Sequence, residues 1–220
     1  MAVPVIDSIG RLVGQITVDD VMDEVREQSE RDYQLASGLS QDEAPDDNVM
    51  RQTSARLPWL LIGMLGGIGA SMILGNYDSP FAARPEMAQY IPQNGGTGGN
   101  VGTQSSAFIV QGLANSSLDA KDTFKQIAKE SIVALINATI ISLLVYIYNF
   151  VRCGGTATVT YSVSISLFAV VMFASIFGTL VPMTLEKLKV DPAIATGPFI
   201  SITNDIIGMM MYMGITVLLA

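Results

Sequence analysis

The sequence contains no histidine, only one cysteine and few charged residues. Without histidine, catalysis by a serine–histidine pair is excluded, and zinc and other transition metals lose their commonest protein ligand. Cys153 stands alone, so the chain has neither an internal disulfide nor a cysteine-based metal site. Charged residues make up 15% and hydrophobic residues 50% of the chain, whereas soluble domains carry about a quarter charged residues. This composition is typical of a membrane protein with a polar appendage.

The charge is unevenly distributed along the chain. Residues 1–50 contain twelve acidic side chains and three arginines, whereas residues 51–220 contain eight acidic and nine basic side chains. The acidic segment argues against nucleic acid as a partner, because phosphate backbones bind basic surfaces. Carboxylates at this density suit either solvation or hard cations such as Mg²⁺ and Ca²⁺.

The N-terminal part has the pattern of a soluble fragment. MAVPVIDSIG lacks the basic start and apolar run of a signal peptide. VPVI and LVGQIT are predicted strands on either side of the turn-like DSIGR, and VDDVMDEVREQSERDYQLASGL is a predicted helix followed by a loop. Because this part is too short to bury a core, we expect it to be the end of a larger soluble domain.

Five apolar stretches follow, each long enough to cross a bilayer, for which about 20 helical residues suffice. They cover residues 57–75, about 87–114, 131–151, about 159–185 with a break near Pro182, and about 197–219. Residues 118–130, before the third stretch, are either a short helix at the membrane interface or a solvated connector. We therefore expect an all-α membrane protein with five transmembrane helices.

Basic residues predict the orientation, because they accumulate on the cytoplasmic side of membrane proteins. Seven fall on one predicted side, namely Arg51, Arg56, Lys121, Lys125, Lys129, Lys187 and Lys189. The opposite side has only Arg84 and Arg152. With five spans, this asymmetry places the N-terminus in the cytoplasm and the C-terminus outside.

Asp205 lies in the middle of the fifth apolar stretch, and no Lys, Arg or His occurs between Pro198 and Ala220. A charged side chain at the centre of a membrane helix costs about 2.5–3.5 kcal/mol on insertion scales, so it normally faces a cavity or a partner. Asp205 is either protonated or hydrogen-bonded to a polar neighbour, or it faces an aqueous ion path. We favour the ion path. Ser201, four residues earlier, shares its helical face.

The second stretch supports an ion path because it is rich in glycine and neutral polar residues. Asn94, Asn100, Thr103 and Gln104 supply oxygen ligands, and polar residues at membrane depth are tolerated where they line protein or water. The glycines also satisfy small-xxx-small helix packing. Packing explains the glycines of the first stretch, but it explains the Asn, Thr and Gln of the second poorly. GGTGGNVG is not a dinucleotide fingerprint, since no strand precedes it.

Two membrane motifs resemble the MgtE family of magnesium channels: PQNGGTGGNVGTQSS in the second stretch and VDPAIATGPFISITNDIIG leading into the fifth. VPVIDSIGRLVGQITVDDVMDEV resembles the end of that family's CBS domain and the start of its plug helix. The resemblance implies three parts. Residues 1–18 are a CBS-like remnant, residues 19–56 are the cytoplasmic plug helix and linker, and residues 57–220 are a five-helix transmembrane pore domain.

The resemblance also implies roles for particular residues in a homodimer of the bacterial inner membrane. The second and fifth helices line a central pore, Asp205 is the selectivity carboxylate, and Asp191 lies near the cytoplasmic mouth. Regulatory Mg²⁺ is expected at Asp20, Asp23 and Asp32. Gln28 and Arg31 replace family acids, which leaves this cluster incomplete.

These observations predict passive conduction of Mg²⁺ through a pore on the dimer axis, with the ion as cargo and the bilayer as a partner. The alternative is a proton-coupled transporter of divalent cations that uses Asp205 as its protonatable group. A structural or sensor module without flux is a third class, and it would leave the polar second helix without a purpose.

Overall fold

The computed structural model describes residues 2–39, 44, 46–77, 85–115, 118, 122–153, 158–195 and 197–219. Strands β1 (Ala2–Ile6) and β2 (Leu12–Thr17) form an antiparallel hairpin in which Ala2 pairs with Thr17. Gly10 makes the turn with φ +83°, a left-handed conformation that favours glycine. The two strands predicted from VPVI and LVGQIT are therefore confirmed.

Helix α1 (Val18–Ala36) begins directly after the hairpin because Thr17 and Asp20 form a capping box. The backbone N–H of Asp20 donates to the Thr17 hydroxyl oxygen at 3.2 Å, and the backbone N–H of Thr17 donates to Asp20 Oδ2 at 2.7 Å. These bonds satisfy donors that the first helical turn leaves free. No residue of α1 is buried.

Helix α2 (Val49–Gly75) starts eight residues before the predicted span at residue 57, because Asn48 caps a polar first turn through the N–H of Met50. The apolar side chains of α2 are largely exposed in the single chain. A short helix, α3 (Pro85–Ala88), precedes α4 (Ile91–Ala114), which corresponds to the predicted second stretch. Arg84 and Lys121, used above for the orientation, lie outside the described residues.

The last three long helices are α5 (Thr123–Cys153), α6 (Thr158–Lys187) and α7 (Pro198–Leu219), with a 3-10 helix at Pro192–Ala195 before α7. Two boundaries differ from the sequence-based expectation. The predicted break near Pro182 is wrong, because α6 continues through that buried proline. From Thr123 the predicted connector is already part of α5, so it forms neither a separate interfacial helix nor a loop there.

The long helices pack around α6. Helices α4, α5 and α7 each pack against α6, and α4 also packs against α7. The main contacts of α2 are with α7. A Cβ at Gly178 of α6 would collide with the carbonyl oxygen of Gly102 on α4 and lie 3.1 Å from its Cα. The two backbones therefore touch directly at this point.

The buried apolar side chains form a core at each of two levels of the bundle. One cluster joins α3, α6 and α7 and contains Met87, Tyr90, Val163, Tyr212 and Met213. The other joins α5 and α6 and contains Ala138, Leu167 and Val171. Among the described residues, α2, α5, α6 and α7 are long and apolar enough to cross a membrane. Helix α4 is not in this set because glycine, asparagine and glutamine lower its hydropathy.

Candidate ion site between α4 and α7

Helix α7 approaches α4 along a face of α4 that consists of glycine. A Cβ at Gly95 would lie 3.5 Å from the backbone oxygen of Asp205. A Cβ at Gly99 would collide with Asp205 Oδ1 and lie 3.0 Å from the Ser201 hydroxyl oxygen. The absence of side chains on this face of α4 therefore makes room for the Asp205 carboxylate and the Ser201 hydroxyl.

Asp205 is half-buried, and its Oδ1 atom is enclosed without a hydrogen-bond partner among the described residues. Within the same part of the chain, no basic side chain forms an ion pair with it. A buried polar atom without a partner costs about 1–3 kcal/mol. In the part of the chain that the structure describes, no basic group neutralises this carboxylate, which makes it a candidate ligand for a cation.

A cavity of about 420 Å³ lies between α2, α4 and α7, and Asp205 is the charged residue among the described residues that line it. Glycines line much of the rest, including Gly63 and Gly66 of α2, together with Ile202 and Met209 of α7. A water molecule has a share of liquid volume of about 30 Å³, so the cavity has room for a carboxylate-bound ion that keeps several waters.

Asn204, the residue before Asp205, is fully buried between α4 and α6, and in the described ranges neither its Oδ1 nor its Nδ2 atom has a hydrogen-bond partner. A Cβ at Gly102 would collide with its Nδ2 atom. Sequence reasoning missed this residue. Its adjacency to Asp205 was visible in the sequence, but the glycine that admits it comes from another helix.

The other polar residues predicted on α4 do not all face the same cavity. Asn94 is fully buried, Asn100 is exposed in the single chain and Thr103 is half-buried. Gln104 lines a second cavity, between α4 and α5, which does not contain Asp205. The structure therefore brings Ser201 and Asp205 together with the α4 glycines, but it does not bring Gln104 to them within one chain.

Asp191 and Asp32 line a common cavity of about 410 Å³ where α1 meets the 3-10 helix, together with Gln28 and Glu186. Asp191 Oδ1 accepts the backbone N–H of Ala193 at 2.9 Å, and Gln28 Nε2 donates to Asp32 Oδ1 at 2.8 Å. These acids therefore gather at the C-terminal end of α1.

The end of α1 also lies directly against the start of α7. Gly197, just before α7, adopts φ +55°, and a Cβ there would collide with the carbonyl oxygen of Ala36. A glycine at this position therefore permits the approach of the two backbones.

Asp20 and Asp23 lie far from the cavity that Asp32 and Asp191 share. Asp20 is twelve residues before Asp32 on α1, which corresponds to about 18 Å along a helix. The backbone N–H of Thr17, and then its hydroxyl, hold the pKa of Asp20 below its usual value. In the described ranges, no three acidic, histidine or cysteine side chains gather closely enough to hold a metal ion. The predicted regulatory acids therefore do not converge within this part of the chain.

Glu130 is a second acid that sequence reasoning missed, because it falls in the predicted connector. Helix α5 carries it against α4 and α6, where it is 9% exposed. Ser105 Oγ donates to its Oε1 atom at 2.7 Å, and Ser175 Oγ donates to the same atom. Glu130 is flanked by Lys129 and Ser131 in the sequence, so no periodic pattern indicated its burial.

A bundle of long apolar helices, with a carboxylate that has no ion-pair partner among the described residues, is typical of membrane transport proteins. The sequence profile of the MgtE family, described as a divalent cation transporter, matches residues 91–215. The chain therefore belongs to the MgtE family. It is a multi-pass helical membrane protein and not an enzyme.

Similar proteins include the magnesium transporter MgtE of Bacillus subtilis, 32% identical over 215 residues, and that of Thermus thermophilus, 34% identical over 221 residues. The magnesium transporter MgtE of Enterococcus faecalis is 30% identical over 215 residues. Each comparison covers 98% of this chain and 47–48% of the relative. The chain thus spans about half the length of the curated relatives it matches.

Proposed function

We propose that this chain forms the pore of a Mg²⁺ channel that conducts divalent cations down their electrochemical gradient. The observation that carries this proposal is the Asp205 carboxylate. It lies at the middle of α7 without an ion-pair partner in the described residues, against a glycine face of α4 and beside a cavity. The names of the similar proteins, magnesium transporters, support Mg²⁺ as the cargo.

In this proposal α4 also crosses the membrane, which brings the number of transmembrane helices to five. Its 24 residues extend about 36 Å at 1.5 Å per residue, which exceeds the hydrocarbon core of about 30 Å. Its polar composition is acceptable because α6 and α7 pack against it and separate much of it from lipid. Five spans then place the N-terminus in the cytoplasm and the C-terminus outside, in agreement with the basic residues.

A homodimer supplies the partner that Asp205 lacks. In a twofold dimer a residue close to the axis faces its own copy, so two Asp205 carboxylates near the axis would face one pore. At about 8 Å and an effective dielectric constant of about 20, two such charges repel by about 2 kcal/mol. A cation about 4 Å from each gains about 4 kcal/mol per unit charge and carboxylate. The pair therefore favours divalent over monovalent ions.

The neutral oxygens near Asp205 suit a hydrated ion. Mg²⁺ dehydrates reluctantly and usually keeps several waters, so hydroxyl and amide groups around it bind its water shell. Ser201 lies beside Asp205, and Asn100 and Thr103 are accessible on α4 in the single chain. We assign these three to the pore wall. Gln104 joins them only if the partner subunit's α4 approaches its side of the helix.

Helix α1 acts as the plug in this proposal, at the cytoplasmic mouth. Its C-terminal end lies against the start of α7, and Asp32 shares a cavity with Asp191. Regulatory Mg²⁺ at Asp32 and Asp191 would draw α1 toward the mouth, because a divalent cation neutralises both carboxylates. Asp20 and Asp23 would need ligands from a part of the protein outside this chain.

The alternative, a proton-coupled transporter, requires titratable groups inside the membrane domain. Asp205 is the protonatable group expected from the sequence. Glu130 adds a second, largely buried acid beside α4, which supports the proton-coupled alternative. A divalent flux that does not change with the pH gradient would support a channel, whereas flux that requires an inward proton gradient would support coupling.

The test is Mg²⁺ uptake into proteoliposomes by the wild-type chain and by Asp205→Asn. The substitution keeps the shape of the side chain and removes one negative charge per subunit. Because the attraction between cation and carboxylate is larger for a divalent ion, its loss should lower the discrimination of Mg²⁺ over Na⁺ at least about tenfold, given the energies above. Asp46→Asn is the matched control, because Asp46 is an exposed acid in the linker before α2. Unchanged discrimination in Asp205→Asn would refute the selectivity role.

A further inference from the structure

A groove runs between α4 and α5 on the surface of the bundle. Each of these helices packs extensively against α6, and they meet each other at few points, such as Ser105 and Glu130. The groove contains a cavity of about 460 Å³, whose floor includes Ser175 of α6. Gln126, Lys129 and Glu130 line it near the start of α5. Deeper along α5 the apolar Val133 and Ile141 lie on either side of Asn137, and Phe108 and Gln104 line it from α4.

Glu130 is the acidic group of this groove, and half of its carboxylate lacks a donor. Both serine hydroxyls, from Ser105 and Ser175, donate to Oε1. Within the described residues, Oε2 receives no hydrogen bond and no basic side chain forms an ion pair with Glu130. A largely buried carboxylate without a counter-charge is costly. Glu130 Oε2 can therefore accept a hydrogen bond from a cationic group outside the chain.

Lys129 gives the same end of the groove a positive charge. Its side chain is exposed, and its Nζ atom lies 6.0 Å from the centre of the Phe108 ring. Lys129 and Glu130 are neighbours on α5, and both line the cavity without forming an ion pair with each other. The polar end of the groove thus presents a carboxylate oxygen to a cation and an ammonium group to an anion.

The polar residues at the start of α5 lie near the boundary between lipid headgroups and hydrocarbon. Helix α5 has 31 residues, or about 46 Å, whereas the hydrocarbon core is about 30 Å thick. If the surplus is shared between its ends, the hydrocarbon begins about 8 Å into the helix. Glu130, seven residues after Thr123, lies about 10 Å in. Val133 and Ile141 lie deeper, at the level of acyl chains.

We propose that this groove binds a phospholipid with a primary ammonium headgroup, of the phosphatidylethanolamine type. The ammonium donates to Glu130 Oε2, the phosphate pairs with Lys129, and an acyl chain lies along Phe108, Val133 and Ile141. A phosphatidylcholine headgroup carries the same charges but has no N–H to donate. An anionic headgroup without an amine leaves Glu130 unpaired. This proposal rests on the membrane location of the chain, not on the conduction of ions.

The test is native mass spectrometry of the protein released from nanodiscs that contain equal amounts of phosphatidylethanolamine and phosphatidylcholine with the same acyl chains. A charge-assisted hydrogen bond predicts about tenfold enrichment of phosphatidylethanolamine among the retained lipids. Glu130→Gln should bring the ratio close to one. Asp122→Asn is the matched control, since it removes an exposed acid just before α5, and it should keep the enrichment.

A second variant keeps the test decisive if Glu130→Gln does not fold. Val133 is 42% exposed, so Val133→Trp can fill the groove without disturbing the core, and it should reduce retained phosphatidylethanolamine about tenfold. Equal retention of the two lipids by the wild-type protein would overturn the proposal. So would enrichment that survives in Glu130→Gln or Val133→Trp, or preferential retention of an anionic lipid added to the nanodisc.

Discussion

Asp205 of α7 lies so close to Gly99 of α4 that no side chain fits between them. Gly99→Ala should therefore push the carboxylate and the Ser201 hydroxyl out of place. Overpacking of this kind costs about 1–3 kcal/mol, and we expect Mg²⁺ uptake into proteoliposomes to fall about tenfold. Gly69→Ala on α2 is the control, because a Cβ there meets nothing within 4 Å. Equal flux in both variants would argue against contact between Gly99 and the ion site.

The hydrogen bond between Tyr90 and Asn149 ties the segment before α4 to the end of α5. The Tyr90 hydroxyl donates to Asn149 Oδ1 at 2.7 Å in a buried environment, and among the described residues Asn149 Nδ2 already lacks a partner. Tyr90→Phe should destabilise the protein by about 1–3 kcal/mol, because it leaves a buried acceptor unsatisfied. Thermal unfolding in detergent measures this. Tyr148→Phe is the control, because Tyr148 is exposed on α5 beside Asn149. It should change the free energy of unfolding by less than about 0.5 kcal/mol.

Gly197 permits the contact between the end of α1 and the start of α7. Gly197→Ala should separate them, because its Cβ would collide with the carbonyl oxygen of Ala36 and its φ of +55° disfavours alanine. We expect faster amide hydrogen exchange in residues 28–36. Gly10→Ala is the control, since φ is +83° there but a Cβ meets nothing within 4 Å. Unchanged exchange in Gly197→Ala would contradict the docking of α1 at the mouth.

The capping box of α1 predicts that the stability of the first turn of this helix depends on pH. The backbone N–H and hydroxyl of Thr17 lower the pKa of Asp20 in the folded state. The cap therefore stabilises the helix at every pH above the ordinary Asp pKa of 3.8, and it is lost as the pH falls through the lowered folded value. The protection of the amides in the first turn of α1, measured relative to their intrinsic exchange rate at each pH, should fall below pH 3.8. Asp20→Asn should remove this dependence, whereas Asp19→Asn, outside the cap, should keep it.

The sequence predicted the features that depend on local pattern. The hairpin follows from two β-rich runs around a turn, and Asp205 was recognised because a lone acid in an apolar helix is costly. Helix ends were less predictable. Helix α5 begins eight residues before the apolar run, because a helix is propagated by backbone hydrogen bonds and not by the hydropathy of its side chains. Proline removes only one such bond, so α6 passes through Pro182 where neighbouring helices pack around it.

The candidate site depended more on tertiary contacts than on pattern. That Gly99 faces Asp205, or that Gly102 admits Asn204, depends on how α4 and α7 rotate toward each other, which one sequence does not encode in its periodicity. Glu130 was hidden for a related reason, since its burial depends on serines from two other helices. Serine is a common small residue in membrane helices and carries no signal by itself.

The backbone contact between Gly102 of α4 and Gly178 of α6 limits how this protein can move. Because no side chain separates the two backbones, any rotation of α4 about its own axis would drive a bulkier neighbour into α6. The rotational position of α4 is therefore fixed by α6. A movement of α4 that changes the width of the cavity beside Asp205 is therefore expected to carry α6 with it.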